Sequence, residues 1–254
     1  MKKIIFFIFY FFSVTILTSC SINQEIKNNS EKYNNNAREN WEKNVAAFTL
    51  KLDNHLISSF NGTIIKENGT DFLVLTSAHV LKPNLNKKIE IFINFLNNTT
   101  SNNNKKNLKG HKIIIEEIYR DNKNDLLLFK FKKINHNIYK NFEINYFTNE
   151  YDIYFFAGYR LILTDNNFSF KQDNLSKLVS VSNTVQNIFY DTQHIFILEN
   201  NNFSDGNSGS PLFNGDKIIG IYRGKKIFQN KLRSFFVYFT NNIFNKLNEF
   251  IKNF

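Results

Sequence analysis

The chain carries one cysteine, two prolines, one tryptophan and five histidines in 254 residues. The lone cysteine, Cys20, excludes any disulfide within the chain. A domain exported to an oxidising compartment would then rest on its hydrophobic core alone. No pair among His55, His79, His111, His136 and His194 has metal-ligand spacing with a carboxylate, so neither a metal centre nor a cofactor is expected. No apolar run reaches the about 20 residues of a membrane-crossing helix. No tandem repeat is present, and no basic stripe interleaved with aromatics has the spacing of a nucleic-acid-binding motif, so nucleic acid is not an expected partner. The net charge of +10 and runs such as Asn102-Asn103-Asn104 read as codon bias in an AT-rich genome rather than as a binding footprint.

The N-terminus has a pattern of its own. Lys2 and Lys3 form a short basic region, and Ile4 to Leu17 is apolar. That length suits the core of a signal peptide and is short for a membrane span. Leu17-Thr18-Ser19-Cys20 resembles a bacterial lipobox. The resemblance implies that the Cys20 thiol receives a lipid and becomes the mature N-terminus; the competing reading makes Cys20 the last residue of an ordinary signal peptide. Lys2 and Lys3 carry two of the ten charges, leaving +8. Acyl chains gaining about 0.8 kcal/mol per buried CH₂ would hold the protein on a membrane without a transmembrane helix. Residues 1–20 are thus expected to be a lipoprotein signal peptide, and the protein to face outward from a bacterial membrane. Residues 21–45 are polar and bury too little to offset ordering entropy. They read as a tether, with one helical stretch around Asn40 to Val45.

From about residue 46 the pattern changes to short apolar runs rich in Ile, Phe, Val and Tyr. They include Gly62-Thr63-Ile64-Ile65, Phe72 to Thr76, Ile89 to Phe95, His111 to Ile118, Leu126 to Phe131, Tyr151 to Ala157, Arg160 to Thr164, Ile195 to Leu198, Lys217 to Tyr222 and Ser234 to Phe239. Asn68-Gly69, Asn97-Asn98, Asn166-Asn167 and Asn214-Gly215-Asp216 separate them. Many short strands at this spacing predict an all-β sandwich or barrel. Asn241 to Phe254 differs: Ile243, Phe244, Leu247, Phe250 and Ile251 recur at helical spacing.

A serine becomes a useful nucleophile when a base takes its proton and a third group orients that base. Ser208 stands in Gly206-Asn207-Ser208-Gly209-Ser210-Pro211, where glycines permit a tight turn that other residues resist. Such a turn can aim backbone N–H groups at a developing oxyanion, each donor worth ~100- to 1,000-fold in rate. Most Gly-rich turns, however, only connect strands. Every histidine precedes Ser208, which excludes the α/β-hydrolase order of Ser, acid, His and leaves the order His, Asp, Ser open. His79, after Leu75-Thr76-Ser77-Ala78, sits where a strand ends among small residues. Asp125 opens the apolar run Leu126-Leu127-Leu128-Phe129. A carboxylate entering a core there needs a partner, which an imidazole N–H would supply; the alternative is a turn or capping aspartate.

These three blocks, Thr76-Ser77-Ala78-His79, Asn124-Asp125-Leu126-Leu127-Leu128 and Gly206 to Pro211, resemble the signature blocks of trypsin-like (chymotrypsin-fold) peptidases in order and approximate separation. The resemblance covers roughly residues 50 to 254. It implies two packed six-stranded antiparallel β-barrels, about 46–140 and 141–240, and a C-terminal helix at about 241–253. It also implies a triad of His79, Asp125 and Ser208, and an oxyanion hole from the N–H groups of Gly206 and Ser208. The sequence further resembles bacterial glutamyl endopeptidases, through Gly-Asn-Ser-Gly-Ser-Pro and the strand Ile218-Ile219-Gly220-Ile221, and HtrA-type proteases, which share Asn before the serine. No PDZ-like segment follows. Asn207 is neutral where animal trypsins use an Asp to bind a newly released N-terminus, so no zymogen step of that kind is expected.

What the resemblance leaves open is specificity. Glutamyl endopeptidases have a histidine where this chain has Tyr222 and a threonine near Phe203. Tyr222, Arg223 and Gly224 are expected to line the specificity pocket with Phe203. Arg223 would attract an acidic side chain, whereas Tyr222 and Phe203 would favour a small or apolar one. The function implied is hydrolysis of extracellular or surface proteins through an acyl-enzyme. The alternative is a silent surface lipoprotein using the peptidase fold as an adhesin or ligand-binding module, since fold does not fix function. Oligomeric state is left open.

Overall fold

In the computed structural model the described residues are 43–81, 89–95, 110–138, 140–146, 153–156, 158–164, 167–173, 179–180, 188–190, 193–198, 206–214, 216–228 and 230–254. The first half is built from β1 (Val45–Leu52), β2 (His55–Glu67), β3 (Asp71–Ser77), β4 (Ile89–Asn94), β5 (His111–Ile113), β6 (Ile115–Asp121) and β7 (Leu126–Lys132). The β1–β2 turn uses Asp53 and Asn54, both at positive φ (50° and 65°), the conformation that lets a two-residue loop follow the strand twist.

These strands form one antiparallel sheet in the order β5-β4-β1-β2-β3-β7-β6. Its outer members are consecutive in the chain, separated only by Ile114, which is 87% exposed. The run read as one strand, His111 to Ile118, is therefore bent at Ile114. One half pairs with β4 and the other with β7, so the sheet closes into a barrel and removes its free edges. Phenylalanines fill the interior: Phe48 stacks on Phe60 with centroids 5.0 Å apart, and Phe129 meets Phe48 edge-on at 5.6 Å.

The barrel begins earlier than the polar composition suggests. Of the segment expected to be helical, Lys43 and Asn44 are helical and Val45 already belongs to β1. Asn44 is buried, and its Nδ2 donates to Ile64 O (2.7 Å) and Lys140 O (2.9 Å). The end of the expected tether is thus pinned to the barrel, because a buried amide must find acceptors. The rest of the tether and the signal segment with Cys20 lie outside the described residues.

The second half comprises β8 (Glu143–Ile144), β9 (Ile153–Phe156), β10 (Gly158–Thr164), β11 (Asn167–Asp173), β12 (Val179–Ser180), β13 (Ile188–Tyr190), β14 (Gln193–Leu198), β15 (Pro211–Asn214), β16 (Lys217–Phe228) and β17 (Lys231–Tyr238). An eight-stranded sheet runs β12-β9-β15-β16-β17-β14-β13, with β8 pairing parallel to β16; β10 and β11 form a separate hairpin. Its described core includes Leu212, Phe213, Ile219, Ile221, Phe236 and Val237, all buried. The architecture is the all-β, chymotrypsin-like one expected, with this half divided between a sheet and a hairpin.

The helix α1 (Asn241–Asn253) falls where the spacing predicts it. Thr240 caps it, its Oγ1 accepting from Ile243 N at 3.3 Å. Ile243 and Leu247 are buried, and Phe250 stacks on Tyr119 of β6 at 4.7 Å. Lys66 Nζ donates to Ile251 O (2.8 Å) and Asn68 Nδ2 to Phe254 O (3.1 Å), satisfying carbonyls that a helix end leaves open. The chain end thereby returns to the first barrel. Among the described residues no helix is long and apolar enough to cross a membrane.

Candidate active site

β3 is buried along its whole length and gives way at Ala78–Val80 to one turn of 3-10 helix. That turn lifts His79 out of the core, leaving its side chain 47% exposed. Asp125 ends the Asp121–Asp125 turn that leads from β6 into β7. Its φ of 54° lies in the left-handed region, which Asp adopts more readily than most residues. Asp121 shapes that turn by accepting from Asn124 N (3.0 Å) and Asn124 Nδ2 (2.7 Å). Burial acts to raise the Asp121 carboxyl, but the Asn124 donors and the Tyr119 hydroxyl outweigh it and hold it below the ordinary carboxylate range. Burial, with the Asp121 charge added, pushes the Tyr119 phenol up to about 12.

The two segments are locked together. Ala78 N donates to Asp125 O (3.0 Å) and His79 N donates to Asp125 Oδ1 (2.8 Å). The imidazole Nδ1 lies 2.8 Å from Asp125 Oδ2. Asp125 is therefore a turn aspartate and the partner of His79 at once, which joins the two readings that the sequence leaves apart. Arg120, on β6, braces the same turn: its Nη1 donates to Ala78 O (2.9 Å) and its Nη2 pairs with Glu117 Oε2 (2.6 Å).

On the other side of the imidazole, Nε2 lies 3.1 Å from Ser208 Oγ. The loop carrying Ser208 turns on Gly206 (φ 93°) and Gly209 (φ 86°). A Cβ on Gly209 would stand 2.0 Å from Thr76 Oγ1 and 2.2 Å from Asn61 O, so close approach and φ both require glycine there. Asn207 O accepts from Ser210 N (3.0 Å). Because the peptide is planar and trans, the Ser208 N–H points away from that bond, out of the turn.

Asn61 anchors this loop and had no role in the sequence reading. Its N donates to Ser208 O (2.8 Å) and its Nδ2 to Gly206 O (2.7 Å) and Tyr159 O (2.8 Å), while Oδ1 accepts from Tyr159 N (3.1 Å). Thr76 Oγ1 donates to Asn61 O (2.6 Å). A polar Asn before Gly62 within an apolar strand is the one local signal that could have flagged it.

The residues expected to set specificity behave differently from one another. The Tyr222 residue is 1% exposed and its ring packs on Phe236 at 5.2 Å, so the ring belongs to the core. Its backbone serves the site instead: Tyr222 O accepts from Gly209 N (2.8 Å) and Ser77 Oγ (3.0 Å), and Tyr222 N donates to Ser210 O (2.7 Å). Arg223 turns its Nε to within 3.4 Å of Asp125 Oδ2. A Cβ on Gly224 would meet nothing within 4 Å, which leaves open space beside the strand. Phe203 lies outside the described residues. Among the described residues no cluster of His, Cys, Asp and Glu could hold a metal ion.

A base held between a buried carboxylate and a serine hydroxyl is an arrangement that can withdraw the hydroxyl proton. A family model described as Trypsin matches residues 54–246. The chain belongs to the trypsin family. The matched span runs from β2 into α1 and so contains the whole of this site. Among solved structures the chain is similar to the serine endoprotease from Yersinia pestis, with a TM-score of 0.54 and 17% identity over 86% of this chain. The chain spans 66% of that protein, just under two thirds of its length, and the likeness is one of fold. No curated protein matches. Trypsin-family membership agrees with the strand order, the His–Asp–Ser order and the glycine-turned loop.

Proposed function

We propose that this trypsin-family chain is a serine endopeptidase that cleaves peptide bonds through an acyl-enzyme formed on Ser208. The observation that carries the reading is the pair of distances at His79: Nδ1 to Asp125 Oδ2 at 2.8 Å and Nε2 to Ser208 Oγ at 3.1 Å. With Nδ1–H committed to Asp125, the neutral imidazole offers Nε2 as the acceptor for the Ser208 proton. Ser208 Oγ then attacks the scissile carbonyl carbon, and the electron pair of the C=O moves onto oxygen. The N–H groups of Ser208 and Gly206 are the donors for that oxyanion.

The imidazolium, steadied by Asp125, returns its proton to the leaving amine as the C–N bond breaks. A water molecule, deprotonated by the same nitrogen, then attacks the acyl carbon; the bond to Ser208 Oγ breaks, the proton on Nε2 passes to that oxygen, and the acyl group leaves as a carboxylic acid. No step calls for a metal or a cofactor. Asn207 cannot pair with a cationic N-terminus, so the site forms without a cleavage step of the kind animal trypsins use. Gly224, beside open space, borders the side-chain pocket together with the backbone of Tyr222 and Arg223. Substrates are proteins at or outside the cell surface. A lipid on Cys20 holds the enzyme to the outward face of a bacterial membrane.

A fluorophosphonate probe tests the nucleophile. It should label the wild-type protein and leave Ser208→Ala unlabelled, with unchanged circular dichroism in the variant. Equal labelling of the two proteins would remove Ser208 from the role.

A further inference from the structure

Arg223 interrupts the ladder between β16 and β17. Tyr222 pairs with Phe236 and Gly224 with Phe235, so Arg223 is the extra residue of a bulge. Bulges beside active sites re-aim a side chain. Gly224, at φ 151°, supplies the backbone turn that glycine tolerates best. The side chain so aimed puts Nε 3.4 Å from Asp125 Oδ2, the same oxygen that His79 Nδ1 approaches to 2.8 Å. The backbone of the same residue faces the nucleophile, with Arg223 O 3.3 Å from Ser208 Oγ.

Among the described residues, β6 and its turn bring further charged and titratable groups to the segment that holds Asp125. Arg120 is bound to Ala78 O and Glu117, and Asp121 is occupied by Asn124 and Tyr119. Lys123 sits in the Asp121–Asp125 turn itself and is exposed. Among the described residues, Arg223 is the arginine whose ion pair reaches Asp125. That carboxylate is 5% exposed and the Arg223 side chain 37%, so the pair is screened on one side only.

We propose that Arg223 is a positioning residue of the triad: by sharing Asp125 Oδ2 with His79, it fixes the carboxylate and sets how far into the acid range the triad turns over. This rests on the reading of the site as a peptidase triad, and it assigns the guanidinium to the enzyme's own acid rather than to an acidic substrate side chain. The sign follows from charge. A carboxylate divided between guanidinium and imidazolium stabilises the imidazolium less than one serving the imidazolium alone. Removing the guanidinium therefore favours the protonated base, and a higher pH is needed to free it.

Arg223→Gln and Arg223→Lys test this with two readouts. The first is the low-field proton resonance of the His79 Nδ1–H bond to Asp125, followed by ¹H NMR, which needs no turnover. The second is the pH profile of kcat/KM on a peptide substrate. In Arg223→Gln the resonance should move, and the low-pH limb should shift toward higher pH. Arg223→Lys, which keeps the charge, should fall between Gln and wild type, and it decides the matter if the Gln variant does not fold. An unmoved resonance and limb would overturn the proposal. So would a fixed limb with a raised KM confined to substrates carrying acidic side chains, which would make Arg223 a reader of substrate. If the wild type turns over no peptide, the peptidase reading fails, and the resonance still decides whether Arg223 acts on the His79–Asp125 bond.

Discussion

Asp125 shows how much one residue can be asked to do. Its carbonyl accepts from Ala78 N, its Oδ1 from His79 N, and its Oδ2 faces both His79 Nδ1 and Arg223 Nε. Asn in its place keeps the backbone, including the left-handed φ that Asn also tolerates, but it can present an N–H where an acceptor is needed. The imidazole then loses its tautomer and the imidazolium its counter-charge. Asp125→Asn should lower kcat by about 10⁴ while leaving KM nearly level. Steady-state kinetics on a peptide ester checks it; a loss within a few-fold would place the orienting acid elsewhere. That Asp125 starts a buried run was legible in the sequence. That its turn conformation and its bond to His79 coexist was not, since a φ angle depends on what the neighbouring strands require.

At the scale of elements, the loop carrying Ser208 is held by its neighbours more than by itself. Gly209 N and Ser210 O bond to Tyr222 of β16, while Ser208 O and Gly206 O bond to Asn61 of β2. Gly209 fits against Thr76 and Asn61 with no room for a methyl group. Gly209→Ala must shift the loop, because the obstructing atoms include the Asn61 carbonyl rather than only a flexible side-chain end. The expected result is loss of probe labelling by at least ~100-fold, as the serine and its oxyanion donor leave register. The midpoint of thermal unfolding should also fall. Labelling rate and calorimetry on one preparation check both. The glycines were readable as turn formers; which of them is sterically irreplaceable depended on a strand about 150 positions earlier in the chain.

For the whole molecule, the joint between the two halves is polar and buried. The Asn61 side chain, on β2 of the first barrel, bonds to both backbone groups of Tyr159 in β10 and to Gly206 O. Asn61→Ala leaves those groups without their partner inside the structure. At about 1–3 kcal/mol for each buried group stranded, the variant should lose roughly 3 kcal/mol of stability or more, with kcat/KM falling alongside. Urea denaturation followed by intrinsic fluorescence measures the first quantity. A variant as stable as wild type would show that the halves are held by other contacts. Helix α1 ties the end of the chain to the first barrel through Phe250 on Tyr119 and Lys66 on Ile251 O, so loosening the joint at Asn61 need not release the C-terminus.

The sequence by itself determined the strand-rich class, the C-terminal helix and the three blocks around His79, Asp125 and Ser208. These depend on local features: apolar runs between Asn-rich turns, helical spacing over one segment, and glycines on either side of a serine. The tertiary structure decided the bend at Ile114 that closes the first barrel, the burial of the Tyr222 ring, the anchoring by Asn61 and the turn of Arg223 toward Asp125. Each of these depends on which residues from distant positions meet. A buried polar group needs partners, and a bulged strand re-aims its side chains, but neither partner nor aim is written in the neighbouring letters. Arg223, one of several residues expected beside the specificity pocket, brings its Nε to 3.4 Å from Asp125 Oδ2 for that reason.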